Sequence, residues 1–208
     1  MRKNPTEKLR QISELDAGYW AQGLCIAGID EAGRGPLAGP VVAGCVVMPR
    51  EPLLLGVDDS KKLSEKMREQ LYAQIMQTAV FVQTGWATVE EIERLHILQA
   101  TRLAMQRAAQ GAPCGLFLID AIENLALDAP QRGIVHGDAQ CYHIAAASIV
   151  AKVTRDRRMR ELDAQYPGYG FARHKGYGTV MHIEALRRLG PCPEHRRSFI
   201  GHFVEADV

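Results

Sequence analysis

Short apolar runs separated by polar stretches are the clearest pattern along this chain. Each run has the length of a buried strand, about four to eight residues. Five runs are predicted to be strands: residues 24–29, 41–48, 80–87, 116–119 and 133–137. Four other segments have the composition and apolar spacing of helices: residues 64–78, 88–110, 144–159 and 180–189. Strands interleaved with helices predict a layered α/β domain.

Local signals predict the ends of several elements. Thr88 and Glu91 form a capping box at the start of the second predicted helix, because a Thr cap faces a Glu three residues later. Ser64 is a plausible cap for the first predicted helix. Residues 33–40 contain glycine and proline too densely for regular structure. Residues 1–22 are polar and predict a loosely attached extension with a short helix.

Charge is distributed unevenly over a chain whose total charge is close to zero. The length of 208 residues fits one domain, and the formal net charge of +1 does not by itself indicate nucleic acid. Residues 152–202, however, contain eleven Lys or Arg and five Asp or Glu, a net charge of +6, which leaves −5 for the rest. Such a basic segment either binds a phosphate backbone or forms a solvated helix surface, and charge alone leaves both interpretations open.

Cysteine usage and the absence of long apolar runs bound the cellular context. The five cysteines are scattered without a C-x-x-C pair, which is typical of free thiols in a reducing compartment. Cys192 and His195 resemble half of a zinc site, but no second half has matching spacing. No apolar run approaches the roughly 20 residues that span a bilayer, and the N-terminus lacks a signal-peptide pattern. We therefore expect a cytoplasmic protein.

Four acidic residues at or near the ends of apolar runs are the main candidates for chemistry. They are Asp30, Glu31, Asp120 and Asp138. Carboxylates delivered by neighbouring strand ends form an oxygen cage that suits Mg²⁺ or Mn²⁺, whereas a single such Asp is most often a cap or a turn residue. Adjacent residues of a regular strand point to opposite faces. We therefore expect the first strand to end or kink between Asp30 and Glu31.

Three glycine-rich or basic segments are candidates for substrate binding. Gly33-Arg34-Gly35 offers main-chain N–H groups and a guanidinium, although a plain tight turn explains it equally well. Ser60-Lys61-Lys62 places two cations before a helix, where lysines are usually only solvated. Residues 166–179 combine aromatic, glycine and basic residues, which suits stacking on sugars or bases but also a rigid structural loop.

Seven motifs in a fixed order make the chain resemble bacterial ribonuclease HII, over roughly residues 24 to 200. The motifs are Gly28-Ile-Asp-Glu-Ala-Gly-Arg-Gly-Pro36, Asp59-Ser-Lys-Lys-Leu-Ser64, Leu118-Ile-Asp120, Gly137-Asp138, Ala145-Ala-Ala-Ser-Ile-Val-Ala-Lys-Val-Thr-Arg-Asp156, His174-Lys-Gly-Tyr177 and His195-Arg-Arg-Ser-Phe199. The resemblance implies a ribonuclease H-like three-layer α/β fold, with a mixed sheet of about five strands flanked by helices. It also implies a division into the polar extension 1–22 and a single catalytic domain 23–208, with a core to about residue 164 and a helical part at 165–208.

The resemblance also implies roles for particular residues. The four acids match the metal-binding acids of the family, and two divalent ions, Mg²⁺ or Mn²⁺, are implied. Gly33, Arg34 and Gly35 match the loop that contacts the 2′-hydroxyl of the ribonucleotide, and Tyr177 matches the aromatic residue that packs on the sugar at the RNA–DNA junction. Ser60, Lys61 and Lys62 match residues near the substrate backbone. The remaining basic residues between Lys152 and Arg197 are predicted to contact phosphates.

Two positions depart from the family pattern. His136 stands where the family often has Lys, which makes a cation near the site weak or dependent on pH. Ala121 follows Asp120 where the family often has a Gly-Asn pair, which puts the shape of the adjoining loop in question.

The activity implied by the resemblance is hydrolysis of the RNA strand of RNA–DNA hybrids, including incision 5′ of a single ribonucleotide in duplex DNA. Two other functions stay open: a related metal nuclease acting on plain DNA or RNA, and a catalytically silent nucleic-acid-binding module. A monomer is expected. The C-terminal residues 201–208 lack the apolar-aromatic pattern of a sliding-clamp-binding peptide.

Overall fold

The computed structural model describes residues 4–204. The predicted C-terminal segment 201–208 therefore lies partly outside the described residues. The strands are β1 (Ile26–Ala32), β2 (Val41–Val47), β3 (Phe81–Ala87), β4 (Leu116–Asp120) and β5 (Gln131–Ile134). The helices are α1 (Pro5–Ala21), α2 (Glu65–Thr78), α3 (Val89–Ala109), α4 (Tyr142–Gln165), α5 (Phe171–His174), α6 (Val180–Leu189) and α7 (Arg197–Val204).

The five strands form one mixed sheet in the order β3-β2-β1-β4-β5. Strands β1, β2 and β3 pair antiparallel. The loop 33–40 joins β1 directly to β2, whereas the connection from β2 to β3 is longer and contains α2. β1 and β4 pair in parallel, and so do β4 and β5. The central strand β1 is thus flanked on one side by an antiparallel partner and on the other by a parallel one, which confirms the predicted fold class.

Helices cover both faces of the sheet, so that the core consists of two apolar layers. Helix α3 packs on one face together with alternate residues of β1 and β2, among them Ile29 and Val41. Helices α1, α2 and α4 cover the other face, where α4 lies directly against β1. A Cβ atom on Gly28 would lie 2.1 Å from the main chain of His143, so only glycine allows this close approach.

The structure confirms most predicted elements and corrects several. The capping box of Thr88 is formed, and Ser64 caps α2. Helix α3 contains one residue with non-helical angles, His96, with φ 61° and ψ 158°, so the helix predicted over residues 88–110 is kinked. The fifth strand ends at Ile134 and is followed by a 3₁₀ turn over Gly137–Ala139, where a continuous strand was predicted. Helices α5 and α7 were not predicted individually, although both lie in the part 165–208 that was expected to be helical.

The N-terminal segment is a docked helix, which corrects the prediction of a loosely attached extension. Helix α1 contributes the buried side chain of Ile12 to the core, and its Asp16 is fully buried against α4. The segment between α4 and the end of α7 packs against residues 33–40 through main-chain hydrogen bonds, including Leu37 N to Gly176 O and Arg196 N to Leu37 O, both at 2.8 Å. Within residues 4–204 no helix is long and apolar enough to cross a membrane.

Candidate active site

Three carboxylates meet on the α4 face of the sheet, at the carboxyl ends of β1 and β4. The two strands are in parallel register up to Ile29 and Ile119, so that Asp30 and Asp120 follow side by side. Side chains alternate between the faces of a strand, which places both acids on the face that α4 covers. Asp138 lies in the 3₁₀ turn just before α4. One oxygen atom from each of the three acids lies within 4.8 Å of the others.

This cluster of negative charge is buried. The exposed fraction is 3% for Asp30 and 5% for Asp138. Burial, followed by the charges of the neighbouring acids, raises the pKa of Asp30 well above its usual value. Burial also raises the pKa of Asp120, although the N–H of Gly137 donates to its Oδ1 at 2.7 Å and opposes the change. Carboxylate oxygens are the ligands that Mg²⁺ and Mn²⁺ prefer, and a cation would relieve the repulsion, so these residues fit a hard divalent ion.

Glu31 lies outside the group of three. Strand β1 continues through Asp30 and Glu31 to Ala32 in regular register with β2, so the expected break between the two acids is wrong. The Glu31 carboxylate instead forms an ion pair with Arg34, with an N–O distance of 3.5 Å. Burial raises the pKa of Glu31 and Arg34 opposes this, while the charge of Asp120 raises it further. Glu31 is therefore close enough to interact electrostatically with the cluster without joining it.

The loop before α2 delivers a lysine to the cluster. Lys61 Nζ lies 3.0 Å from Asp138 Oδ2, and the Lys61 side chain is 73% exposed. Burial would lower the pKa of Lys61, but its hydrogen bond to Asp138 and the charges of the neighbouring acids together outweigh this, so the pKa is raised. Lys62 pairs with Asp59 instead, at 3.3 Å. Ser60 is buried, with its N–H directed to Ser148 Oγ at 3.3 Å, so this residue supports the loop from inside.

The Gly33–Gly35 loop and Tyr177 lie next to each other. Gly33 has φ of 101°, a conformation that L side chains rarely adopt, and a Cβ there would meet the Arg155 side chain. A Cβ on Gly35 would lie 4.0 Å from Cε1 of Tyr177. The Tyr177 ring is 45% exposed, so an apolar face is available beside the loop. The structure thus brings together two candidate substrate-binding segments that are about 140 residues apart in the chain.

Many of the basic residues at positions 152–197 are not free to bind phosphates, which corrects the prediction for this segment. Arg155 and Arg196 are buried. Four others are paired with carboxylates: Lys152, Arg157, Arg158 and Arg160. In the described part of the chain, five cations of this segment are at least partly exposed and form no ion pair: Arg173, Lys175, Arg187, Arg188 and Arg197. We call these five residues the basic surface.

The two departures from the family pattern both fall at the edge of the carboxylate cluster. His136 adopts the left-handed conformation, with φ of 56°, where the chain turns to present Gly137 to Asp120. The charge of His136 also acts to lower the pKa of Asp120. Ala121 has φ of 51°, a conformation that glycine adopts with less strain. The loop after Asp120 therefore has the backbone conformation that glycine favours, although alanine occupies position 121.

Four residues around the Gly33–Gly35 loop support it from inside, a role that was not predicted from the sequence. Arg155 and Arg196 donate to main-chain carbonyls of residues 33–40, while His182 and His195 form a hydrogen-bonded pair behind Tyr177. All four lie within or near quoted motifs, but their residue types indicated exposed charge. No pattern in the sequence distinguishes a buried guanidinium from a solvated one.

Comparison with known proteins places this geometry in one family. The family model described as Ribonuclease HII matches residues 27–202. The ribonuclease HII of Desulfitobacterium hafniense (strain Y51) is 53% identical over 205 residues, which cover 97% of this chain and 79% of the relative.

Solved structures agree with the sequence comparison. The ribonuclease H2 of Pyrococcus horikoshii OT3 superposes with a TM-score of 0.73 at 26% identity, covering 86% of this chain and 97% of that one. The ribonuclease HII in the PCNA:RNase HII complex from Archaeoglobus fulgidus gives a TM-score of 0.74 at 23% identity, covering 88% and 98%.

Proposed function

The chain belongs to the ribonuclease HII family, and from that premise we propose that this metal-dependent endoribonuclease, which hydrolyses the RNA strand of RNA–DNA hybrids, also cuts 5′ of single ribonucleotides embedded in duplex DNA. The observation that carries the proposal is the convergence of Asp30, Asp120 and Asp138 within 4.8 Å. A pure binding module has no need to bury negative charge where a phosphate must approach. The products would be a 3′-hydroxyl and a 5′-phosphate.

The metal ligands proposed are Asp30, Glu31, Asp120 and Asp138. The first, third and fourth already converge, whereas Glu31 follows Asp30 on the regular strand β1 and would have to leave Arg34 and turn toward the cluster. When bound, two ions of Mg²⁺ or Mn²⁺ would supply a water of lowered pKa and stabilise charge on the leaving 3′-oxygen. Lys61 pairs with Asp138 at 3.0 Å, and an ion bound by Asp138 would free this lysine to contact a phosphate.

Recognition of the ribose is assigned to the Gly33–Gly35 loop and Tyr177. The 2′-hydroxyl separates RNA from DNA at a given position, and main-chain N–H groups of an exposed glycine loop can reach it closely. The exposed Tyr177 ring beside Gly35 provides the surface on which the sugar packs. The 2′-hydroxyl thus serves recognition, and the nucleophile is water.

Electrostatic attraction to the phosphate backbone is assigned to Lys61, Lys62 and the basic surface. All seven side chains are at least partly exposed, and within residues 4–204 the five of the basic surface form no ion pair. Ser60 contributes indirectly, because its N–H and carbonyl hold the loop that carries the two lysines. Binding should weaken with salt, since each phosphate contact releases counterions.

Residues 23–208 are proposed to act as one catalytic unit and as a monomer. The core to about residue 164 and the helical part from 165 both contribute to the site, because Gly176 and Arg196 bond to the loop of residues 33–40. A sedimentation measurement of the purified chain checks this, and a dimer at working concentration would contradict it.

The test of the function uses purified protein, Mg²⁺ or Mn²⁺, and a labelled DNA duplex with one ribonucleotide. We expect a single cut 5′ of the ribonucleotide that chelator abolishes and that Asp30→Asn protein does not make. The exposed Asp128, remote from the cluster, provides the matched control Asp128→Asn, which should cut normally. Cutting of the all-DNA duplex would instead indicate a broader nuclease, and binding without any cut would indicate a silent binding module.

A further inference from the structure

Two fully buried guanidinium groups hold the loop that is assigned to ribose recognition. Arg155 is 1% exposed and Arg196 is 0% exposed. Both groups donate only to main-chain carbonyls, and within residues 4–204 neither has a carboxylate partner within 4.0 Å. Burying a charge without a counter-ion is costly, so the arrangement calls for an explanation beyond stability.

Arg196 binds the recognition loop itself. Its NH2 donates to Gly33 O at 2.6 Å and to Gly39 O at 2.7 Å, and its NH1 donates to Arg34 O at 2.8 Å. Its Nε donates to Gly39 O at 3.0 Å. The Arg196 side chain therefore fixes the two successive carbonyls of Gly33 and Arg34. It also ties them to the carbonyl of Gly39, near the end of the connection 33–40.

Fixing these two carbonyls also fixes the direction of two N–H groups. In a trans peptide the C=O of one residue and the N–H of the next point in opposite directions. Because the carbonyls of Gly33 and Arg34 point inward to Arg196, the N–H groups of Arg34 and Gly35 point away from it. Arg34 and Gly35 are exposed, so these donors lie on the substrate side of the loop, next to Tyr177.

Arg155 connects the same loop to the segment that carries Tyr177. It donates to Pro40 O at 2.9 Å and Ala38 O at 3.1 Å from one side, and to Lys175 O at 2.9 Å from the other. It acts on the end of the loop and on the approach to Tyr177, but not on the carbonyls of Gly33 or Arg34. The two arginines therefore have separate roles.

Only arginine has the donors for this arrangement. A planar fork can serve several carbonyls at once, whereas a lysine ammonium is a point charge on a flexible stem. Burial lowers the pKa of Arg196 to about 9 and that of Arg155 to about 10, so both remain charged at neutral pH. The Phe199 ring packs on the Arg196 guanidinium, with 5.3 Å from Cζ to the ring centroid, and helps to fix its plane.

We propose that Arg196 is a positioning residue that sets discrimination between ribose and deoxyribose. It does so by orienting the N–H groups of Arg34 and Gly35 toward the 2′-hydroxyl, without touching substrate. The inference rests on the proposed function, because it explains how the loop assigned to the 2′-hydroxyl obtains its geometry.

The test measures binding with cleavage switched off. Every protein carries Asp30→Asn, and fluorescence anisotropy in Mg²⁺ gives Kd for two duplexes of one sequence, with and without a single ribonucleotide. The Asp30→Asn parent should prefer the ribonucleotide duplex by about tenfold or more, as expected of a site built to bond a hydroxyl. Adding Arg196→Lys should bring this ratio to within about twofold of unity, with affinity for the all-DNA duplex nearly unchanged.

Controls separate positioning from loss of fold. Met105→Ala removes a buried side chain from α3 and should destabilise the protein while leaving the Kd ratio as in the parent. If Arg196→Lys does not fold, the Kd ratio is measured in Phe199→Leu instead. This variant removes the ring that packs on the Arg196 guanidinium but keeps an apolar side chain in its place. A ratio equal to that of the parent in a folded Arg196→Lys protein, or in Phe199→Leu when the former does not fold, would overturn the proposal. If the Asp30→Asn parent binds both duplexes equally, the assignment of ribose recognition to the Gly33–Gly35 loop and Tyr177 is itself overturned. This outcome is distinguishable from a failure of the proposal on Arg196, which requires a parent that prefers the ribonucleotide duplex.

Discussion

At the scale of single residues, the carboxylate cluster opposes the stability of the metal-free chain. Asp30 is buried beside Asp120 and Asp138, and its raised pKa shows that the charged form is disfavoured there. A shift of one pKa unit corresponds to about 1.4 kcal/mol between the two protonation states. Residues that oppose folding in this way are characteristic of functional sites.

The first prediction concerns Asp30→Asn and metal-linked stability. The amide carries no charge, so in chelator the variant should unfold at a temperature at least as high as that of the wild type. Mg²⁺ should raise the unfolding temperature of the wild type through selective binding to the folded state, and this increase should be largely lost in the variant. Differential scanning calorimetry with and without Mg²⁺ measures both effects.

Asp128→Asn is the control for this measurement, since Asp128 is exposed and lies outside the cluster. It should respond to Mg²⁺ as the wild type does. An equal Mg²⁺ response of Asp30→Asn and wild type would show that Asp30 does not hold the ion.

The convergence of three of the four acids could be predicted from the sequence, whereas the burial of the arginines could not, for a physical reason. An Asp at the end of an apolar run must follow the strand into the sheet edge, so Asp30 and Asp120 were predictable from local pattern. The burial of Arg196 depends on carbonyls of Gly33 and Arg34, more than 160 residues away in the chain, and no local pattern encodes that contact.

At the scale of elements, helix α4 obtains its N-terminal cap from α1. Cys141 occupies the cap position of α4 but forms no capping hydrogen bond through its own side chain. Asp16 of α1 instead accepts from Tyr142 N at 2.9 Å, from His143 N at 3.1 Å and from His143 Nδ1 at 2.5 Å. A carboxylate at this place satisfies otherwise unpaired N–H groups and interacts favourably with the helix dipole.

The second prediction follows from this cap. Asp16→Ala would leave buried donors unpaired, and the free energy of unfolding should fall by about 3 kcal/mol. Lys8→Ala, on the same helix, should cost less than about 1 kcal/mol, because the ion pair that Lys8 forms with Asp58 of the loop before α2 is partly exposed, with an N–O distance of 3.4 Å. Urea unfolding followed by circular dichroism compares the two, and equal losses would show that Asp16 is not a special anchor.

Element-scale prediction was correct where the apolar pattern was unbroken and wrong where tertiary contacts decide the conformation. A sequence signal for α1 did exist, since Leu9, Ile12 and Asp16 share one helix face and place a charge among apolar residues. The end of β5 at Ile134 had no such signal. It is determined by the turn at His136 that brings Gly137 to Asp120.

At the scale of the whole molecule, a chain of hydrogen bonds through His195 and His182 joins the C-terminal segment to Tyr177, and we call this chain the histidine relay. The hydrogen bonds run from Cys192 N to His195 Nδ1 at 3.0 Å, between the Nε2 atoms of His195 and His182 at 3.1 Å, and from His182 Nδ1 to Tyr177 O at 2.9 Å. A main-chain N–H only donates and a carbonyl only accepts, so His195 carries its proton on Nε2 and His182 carries its proton on Nδ1. Both rings must be neutral for the relay to exist.

Burial agrees with this requirement. It lowers the pKa of His195 to about 4, with the charge of His182 adding to the effect, and it also lowers the pKa values of His182 and His174. In the unfolded chain a histidine titrates near pH 6.5.

The overall architecture was predictable because layers follow from element order, whereas this relay links residues on separate loops and helices that only the fold brings together.

The third prediction gives the pH dependence of stability. Between pH 6.5 and about pH 4, His195 binds a proton in the unfolded chain but not in the folded one. As the pH falls through this range, the free energy of unfolding therefore decreases by about 1.4 kcal/mol per pH unit for this one group. His195→Asn keeps an acceptor for Cys192 N–H but cannot titrate. The variant should be less stable than the wild type at pH 7, and the difference in unfolding free energy should shrink as the pH falls through this window.

Urea unfolding of both proteins at several pH values measures this difference directly. The buried carboxyl groups of Asp30, Asp120 and Glu194 have raised pKa values and act in the opposite direction, but they are present in both proteins and cancel in the difference. Parallel curves for wild type and His195→Asn from pH 7 to pH 4 would mean that His195 is not held neutral. The expected convergence would tie the docking of the C-terminal segment, and with it the placement of Tyr177, to a neutral relay.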